Sequence, residues 1–286
     1  MDKKLGIVAG EGDLPFIMVE KAREQGIYKI YAVAFDGQTN PSLSDHVDGI
    51  IWIGLGQLGK LIDFFKKNDV KQAVFIGKIA HNVVFSKLKL DLKMLSLAAR
   101  LKDWRTDTIL GAIAGEITKS GVDIIDSTTY LKHLMPEPGV LTSRDLSDQQ
   151  KEDIRFGFFI AKKLAGVDIG QTVVVKKKTV LALEAIEGTD KAILRGGELG
   201  KKDSVVIKVS KPNQDMRFDV PVVGMKTFEN LVKANIALIA IEAGNTLFID
   251  KDEIISFANR KKISVVSVDP KSFDFSDFEN QYVCEI

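Results

Sequence analysis

The first part of this chain alternates short apolar runs with amphipathic stretches, and few architectures accept that rhythm. Residues 4–9, 30–35, 49–53 and 72–76 are short and apolar, the pattern of strands buried inside a sheet. Between them, Leu14, Ile17, Met18 and Ala22 recur at helical spacing, with Gly26 expected at the C′ position. Leu58, Leu61, Ile62 and Phe65 fall at i, i+3, i+4 and i+7, one face of a second helix. Two further helices are expected near 91–103 and 107–120, followed by a strand at 122–125. Strand and helix alternating at this pace predict parallel βαβ units. Residues 1–134 therefore read as a Rossmann-like N-terminal domain with a parallel sheet.

The remainder reads differently. Residues 135–143 hold two of the seven prolines, Pro136 and Pro138, and predict a linker over 135–146. Ser147 is placed to cap a helix running to about Leu164, with Ile154, Phe158 and Ala161 on one face. Residues 172–175 and 180–186 flank Lys176-Lys177-Lys178-Thr179, a hairpin with a basic turn. Further elements are expected at 190–194 and beyond (helix), 205–209 (strand), 228–234 (helix), 237–241 and 247–249 (strands), 253–260 (helix) and 265–268 (strand). Residues 147–286 thus form a C-terminal mixed α/β domain, the proposed catalytic and substrate domain. The fold class is α/β, and 286 residues suit two domains of about 150 residues each. The tail from Pro270 sets Phe273, Phe275 and Phe278 among acids, and its packing is not legible in the sequence.

Five segments carry candidate chemistry. In Ala9-Gly10-Glu11-Gly12-Asp13-Leu14-Pro15, Gly10 and Gly12 let the backbone turn sharply and approach a ligand. Asp13 is positioned to cap the next helix, Pro15 suits its first turn, and a helix N-terminus favours a phosphate. Pro15 replaces the third glycine of G-x-G-x-x-G, so a standard dinucleotide site is not expected, and a turn serving only the fold explains the same residues. Gly77-Lys78 close a strand whose end faces the ligand crevice of an open sheet, which makes Lys78 either a phosphate ligand or a solvated lysine.

Glu184, Glu187, Thr189 and Asp190 follow an apolar strand and open a helix; two carboxylates three apart suit a shared magnesium ion, and helix capping is the alternative. In residues 211–224, an extended 215–219 would aim Asp215, Arg217 and Asp219 one way and Met216 and Phe218 the other. Such a carboxylate–guanidinium–carboxylate row holds a metal and a phosphate together; a salt-bridged edge strand is the bland alternative. Glu242, in Glu242-Ala243-Gly244, closes another strand, at a site or in a surface turn.

Absences narrow the chemistry. His46, His81 and His133 are scattered, with no H-E-x-x-H, and neither a G-x-S-x-G elbow nor a P-loop occurs. The single cysteine, Cys284, excludes an internal disulfide. Forty basic against 39 acidic residues give a formal charge of +1, which argues against nucleic acid as a partner. With no apolar run of about 18 residues, the chain reads as a soluble cytoplasmic protein.

Taken in order, G-I-V-A-G-E-G-D-L-P at 6–15, G-K at 77–78, D-I-G-Q-T-V-V-V at 168–175, A-L-E-A-I-E-G-T-D at 182–190, K-P-N-Q-D-M-R-F-D-V-P-V-V-G at 211–224 and I-E-A-G at 241–244 resemble the LpxI-type UDP-2,3-diacylglucosamine pyrophosphatases of bacterial lipid A biosynthesis. The resemblance runs to about residue 270. It implies a Rossmann-like domain and a C-terminal domain of unusual fold with substrate held between them. It also implies Mg2+-dependent hydrolysis to UMP and 2,3-diacylglucosamine 1-phosphate (lipid X), with water attacking the sugar-side phosphorus. The family's important aspartate matches Asp219, and Asp215 in the same motif is the second choice. Asp219 with Asp190 or Glu187 would hold the metal. Gly10, Gly12, Asp13, Lys78, Thr189, Lys211, Gln214, Arg217 and Glu242 would bind the lipid nucleotide. A transient contact with the inner membrane surface and a homodimer stay open as partners. Two rival readings also stand: a non-catalytic UDP-sugar or lipid-binding protein, and a nicotinamide-dependent dehydrogenase, for which Asp36 supplies an acid after the second strand while Pro15 speaks against it.

Overall fold

The computed structural model describes residues 3–78, 90–103, 105–218 and 220–282. Asp219, His81 and Cys284 lie outside the described residues. The chain forms two compact units: Met1–Leu131 together with Asp215–Asp219, and Lys132–Gln214 together with Val220–Ile286.

The first unit is built on five strands, β1 (Lys4–Ala9), β2 (Lys29–Phe35), β3 (Gly49–Ile53), β4 (Gln72–Ile76) and β5 (Asp123–Ile124). Their order is β3-β2-β1-β4-β5, and every pair is parallel. This is the doubly wound order, in which connections from β1 and from β3 leave toward opposite sides and a crevice opens beyond the ends of β1 and β4. Helix α1 (Leu14–Glu24) ends as expected, with Gly26 at φ +86°. Helix α2 (Leu58–Lys67) buries Leu58, Leu61, Ile62 and Phe65, the four residues of the apolar stripe. Helices α3 (Leu92–Ala98) and α4 (Thr106–Lys119) follow, the first shorter than its sequence pattern suggests. Asp91 caps α3 through Met94 N–H and also accepts from Gly59 N–H of α2 at 2.6 Å, so one carboxylate ties two helices.

The second unit carries a six-stranded sheet ordered β6-β13-β11-β9-β7-β8, with β6 (Gly139–Val140), β7 (Thr172–Lys176), β8 (Thr179–Leu183), β9 (Val205–Lys208), β11 (Leu238–Glu242) and β13 (Ser264–Val268). β9, β11 and β13 are parallel; β7 runs against β9 and β8, and β6 runs against β13. The stretch read as a linker therefore contributes an edge strand. A small parallel pair, β10 (Val222–Val223) with β12 (Leu247–Phe248), stands apart.

Period-two alternation sorts the central strands. Val173, Val175, Val205 and Ile207 face α5 (Asp148–Gly166), whereas Val174, Val206, Ile239 and Ile241 face α6 (Thr189–Gly200), α7 (Met225–Lys233) and α8 (Lys251–Lys261). Ser147 begins α5 with a capping box through Gln150. The tail also finds its place: Phe273, Phe275 and Phe278, the last on α9 (Ser276–Tyr282), pack on Phe156, Phe158 and Phe159 of α5.

The basic hairpin turn has a cause the sequence hid. Lys177 and Lys178 both take positive φ, 49° and 55°, as a two-residue hairpin demands. Their N–H groups donate to the carboxylate of Asp153 at 2.9 and 2.7 Å, and Asp153 is buried on α5. Asp153→Ala is expected to lower stability by about 2–3 kcal/mol, read as a shifted urea midpoint, because two turn donors lose a charged acceptor. Asp153→Asn, which keeps one carbonyl acceptor, is expected to cost less.

Candidate active site

In the first unit the Gly-rich segment and the Gly-Lys pair meet. Gly10 N–H donates to Ile76 O at 2.8 Å, while Glu11 and Lys78 exchange both backbone bonds, at 2.7 and 3.0 Å. A Cβ on Gly10 would stand 2.6 Å from Lys78 O, so glycine is required there for backbone contact between the two loops. The Gly10 and Glu11 amides are thereby committed to the protein and are not anion donors. Gly12, at φ +95° with open space around it, is the glycine that faces outward. Asp13 occupies the cap position of α1 in an α-region conformation and makes no side-chain cap bond, against expectation. Its carboxylate is not folded onto the helix end. Lys78 follows the carboxyl end of β4 and is exposed.

The polar motif that follows β9 also reports to this unit. Residues 215–218 are not extended; they form a turn closed by Phe218 N–H on Asp215 O at 3.1 Å. The expected alternation of Asp215 and Arg217 on one face of a strand is therefore replaced by direct pairing. Arg217 Nε and Nη2 donate to the two Asp215 oxygens at 2.9 and 2.7 Å, and Arg217 N–H adds a third bond at 3.1 Å. The Arg217 guanidinium holds the Asp215 carboxyl below its usual range, and Asp215 raises Arg217 in turn. Ser127, after β5, anchors this turn. Its N–H donates to Met216 O at 3.0 Å, and its hydroxyl lies 2.6 Å from Phe75 O and 2.7 Å from Arg217 O. Phe218 meets Phe75 of β4 edge to face, with ring centroids 5.7 Å apart. The carboxyl end of β4 thus meets Gly10 through Ile76 O and, through Ser127 and Phe75, the turn that holds Asp215 and Arg217, with Lys78 just beyond it.

In the second unit, strand directions bring the other candidates to one sheet edge. The carboxyl ends of β8, β9 and β11 and the start of β7 lie together there. Glu184, just past β8, accepts from Thr189 Oγ1 at 2.8 Å and from Gln171 N–H at 3.2 Å. Lys208, closing β9, donates to Thr189 Oγ1 at 2.9 Å. Gln214 Oε1 accepts from Lys211 N–H at 2.9 Å, and Lys211 Nζ pairs with Asp168 at 2.7 Å. Glu242 is buried: Lys162 Nζ pairs with it at 2.6 Å, Ser210 N–H donates at 2.8 Å and Asn245 Nδ2 at 3.0 Å. Its carboxylate fixes the loop after β9 rather than facing outward. Thr189 is the first residue of α6, whose cap is Gly188 at φ +84°; neither Thr189 nor Asp190 caps it.

The three carboxylates proposed beside Asp219 each face a cation. Glu187 pairs with Arg195 at 2.7 Å, Asp190 with Lys226 at 3.4 Å, and Asp215 with Arg217. The N–H of Glu187 itself, followed by the Arg195 guanidinium, lowers its carboxyl. Among the described residues no three His, Cys, Asp or Glu side chains gather into a metal-binding set. As they stand, these described carboxylates do not fit a magnesium cage.

Sequence reading passed over Ser127, Lys162 and Lys208. Lys208 and Ser127 lie within a few residues of strand ends that the hydrophobic pattern had located, so the rule that ligands gather at strand ends was the available signal. Lys162 had none, since its role depends on which face of α5 meets β9 and β11.

The model of the LpxI N-terminal domain matches residues 4–134, and that of the LpxI C-terminal domain matches residues 137–266. A Caulobacter vibrioides protein named UDP-2,3-diacylglucosamine pyrophosphatase LpxI is 30% identical over 284 residues, covering 94% of this chain and 99% of that protein. Among solved structures, the biotin carboxylase domain of a thermophilic 2-oxoglutarate carboxylase bound to bicarbonate is 12% identical with a TM-score of 0.26. That match covers 70% of this chain, which spans about a third (33%) of the other. N5-carboxyaminoimidazole ribonucleotide synthetase from Thermotoga maritima is 18% identical, with a TM-score of 0.23 over 66% of this chain and 43% of that one. Scores this low assign no shared fold. Among the described residues no helix is long and apolar enough to cross a membrane.

Proposed function

This chain belongs to the LpxI family, and on that premise we propose that it hydrolyses the pyrophosphate of UDP-2,3-diacylglucosamine to UMP and 2,3-diacylglucosamine 1-phosphate in lipid A biosynthesis. The observation that carries the proposal is the match of both domain models, in order, along nearly the whole chain. The site chemistry supports it. Pyrophosphate cleavage is chiefly a matter of positioning and of neutralising charge on phosphoryl oxygens. Each unit by itself presents such cations at its strand ends: Lys78 and Arg217 in the first, Lys208 and Lys211 in the second. Arg217 is pre-aimed by Asp215, whose bidentate grip fixes the guanidinium plane. In this reading Asp219 activates or orients the water that attacks the sugar-side phosphorus.

A magnesium requirement is part of the proposal. Magnesium sites commonly use one or two protein carboxylates together with substrate phosphate oxygens. A full protein cage is therefore unnecessary, and Asp219 is the residue assigned to the ion. The test is chromatography of products from purified protein and UDP-2,3-diacylglucosamine. UMP and lipid X are expected in equal amounts, lost on chelation and restored by added Mg2+. Binding without product would leave a lipid-nucleotide carrier, and a full rate after chelation would remove the metal from the proposal.

A further inference from the structure

We propose that the amino-terminal edge of the second unit's sheet holds a separate anion site for a phosphate-bearing ligand. A cavity of about 530 Å3 opens there, lined by Arg144, Lys202, Lys261 and Lys262 together with Ser143 and Asn259. It lies at the opposite end of that sheet from Glu184, Lys208 and Glu242: Lys202 precedes β9 and Lys262 precedes β13. The pyrophosphatase reading assigns nothing to it.

Four cations line the cavity and no acid does. Among the described residues none of the four has a carboxylate at ion-pair distance, whereas cations elsewhere in the unit, such as Lys211, Arg195 and Lys226, do. Helices α6, α7 and α8 all end at this edge, with Lys201, Ala234 and Lys262 at their C-caps. Basic residues at helix ends are ordinarily explained by the dipole, so the sizes decide. Three C-termini supply roughly −0.5 each, about −1.5 together, against four full positive charges. An excess of about two to three charges remains. A phosphate group carries about −1.5 to −2 at neutral pH.

Ser143 N–H and Oγ both donate to Asn259 Oδ1 at 3.0 Å, which occupies the acceptor end of that amide and leaves its NH2 to donate. Arg144 Nη1 reaches Lys262 O at 3.4 Å, a contact that holds the guanidinium beside α8 while most of its donors remain unused. The lining is therefore rich in donors, suited to a ligand that only accepts. A phosphate does so, whether borne by a phospholipid headgroup or by a free phosphate compound.

The test uses inorganic pyrophosphate titrated into the full-length 15N-labelled protein at low salt. Saturable shifts are expected at the amides of Ser143, Arg144, Asn259 and Lys262. In Lys261→Gln/Lys262→Gln the affinity at those amides should fall by roughly tenfold or more, the loss of a charge-assisted contact. In Lys261→Glu/Lys262→Glu the shifts should vanish while UMP formation is kept; a modest fall in the thermal midpoint is expected from two acids at the C-terminus of α8, and the neutral Gln pair separates that from the loss of binding. Sedimentation with phosphatidylcholine vesicles, with and without phosphatidylglycerol, separates the sources. Co-sedimentation that needs the anionic lipid and is lost in the charge-reversed variant assigns a headgroup; no co-sedimentation with intact pyrophosphate binding assigns a free phosphate compound. Absence of saturable shifts at these amides in the native protein, or shifts unchanged in both variants, overturns the site.

Discussion

Asp219→Asn is expected to lower the turnover number for UMP formation by about two to four orders of magnitude, the range for losing a catalytic carboxylate, with thermal unfolding unchanged. The expectation separates two aspartates of one motif. Asp215 is spent on Arg217: three donors of that residue converge on its carboxylate. The guanidinium depresses its pKa, which makes it a poor base at neutral pH. For such a depressed carboxyl, the favourable pairing is complete above the ordinary unfolded value and is lost only as pH falls through the lower folded one. The pair is therefore intact wherever the enzyme is assayed near neutrality, and Asp215 titrates outside the working range. Asp215→Asn is expected to weaken substrate binding through a loosened Arg217 and to leave the acid limb of the kcat/KM profile in place. Asp219→Asn is expected to lower kcat itself. If Asp215→Asn removed the acid limb and Asp219→Asn did not, the two roles would be reversed.

The distribution of polar groups explains which parts of this molecule were legible in its sequence. β3 and β4 fall where their apolar runs predict, and α2 buries the four stripe residues, because burial on one or two faces writes its period directly into the chain. Candidate residues at strand ends were legible for the same reason: once a strand is placed, its carboxyl end is placed too. What escaped was long-range. Alternation of Asp215, Met216, Arg217 and Phe218 also fits an extended segment of period two, but Ser127 and Phe75, some ninety to 140 positions away, hold it as a turn. The sequence leaves Gly10 open between an anion-binding turn and a turn serving only the fold; the demand on it comes from Lys78 on the neighbouring loop, which local pattern cannot show. The hairpin turn at Lys177 and Lys178 is legible from its flanking strands, but the acceptor that holds their positive-φ N–H groups, Asp153, sits on another element. In each case the deciding partner lies far along the chain, where local pattern has no reach.

Lys162→Met is expected to cost about 3 kcal/mol of stability, near the lower end for breaking a buried ion pair. Glu242 is almost wholly buried, with 3% of its side chain exposed against 23% for Lys162. Removing the lysine leaves the carboxylate with neutral donors only, Ser210 N–H and Asn245 Nδ2. The damage should fall on the loop after β9, because Glu242 holds Ser210 N–H and Lys162 holds Ser210 O at 2.9 Å. That loop leads into Lys211 and Gln214, so substrate affinity should fall with stability even though Lys162 is assigned no contact with substrate. Lys162→Met/Glu242→Gln is expected to be more stable than Lys162→Met alone, since no uncompensated charge remains. A double-mutant cycle by urea unfolding reads the coupling, expected at about 1–3 kcal/mol for groups in direct contact. Additive single effects would show that the two side chains act independently. A double mutant with restored stability but an elevated KM would show that the charge pair, beyond supporting the fold, sets the position of the cations that follow β9.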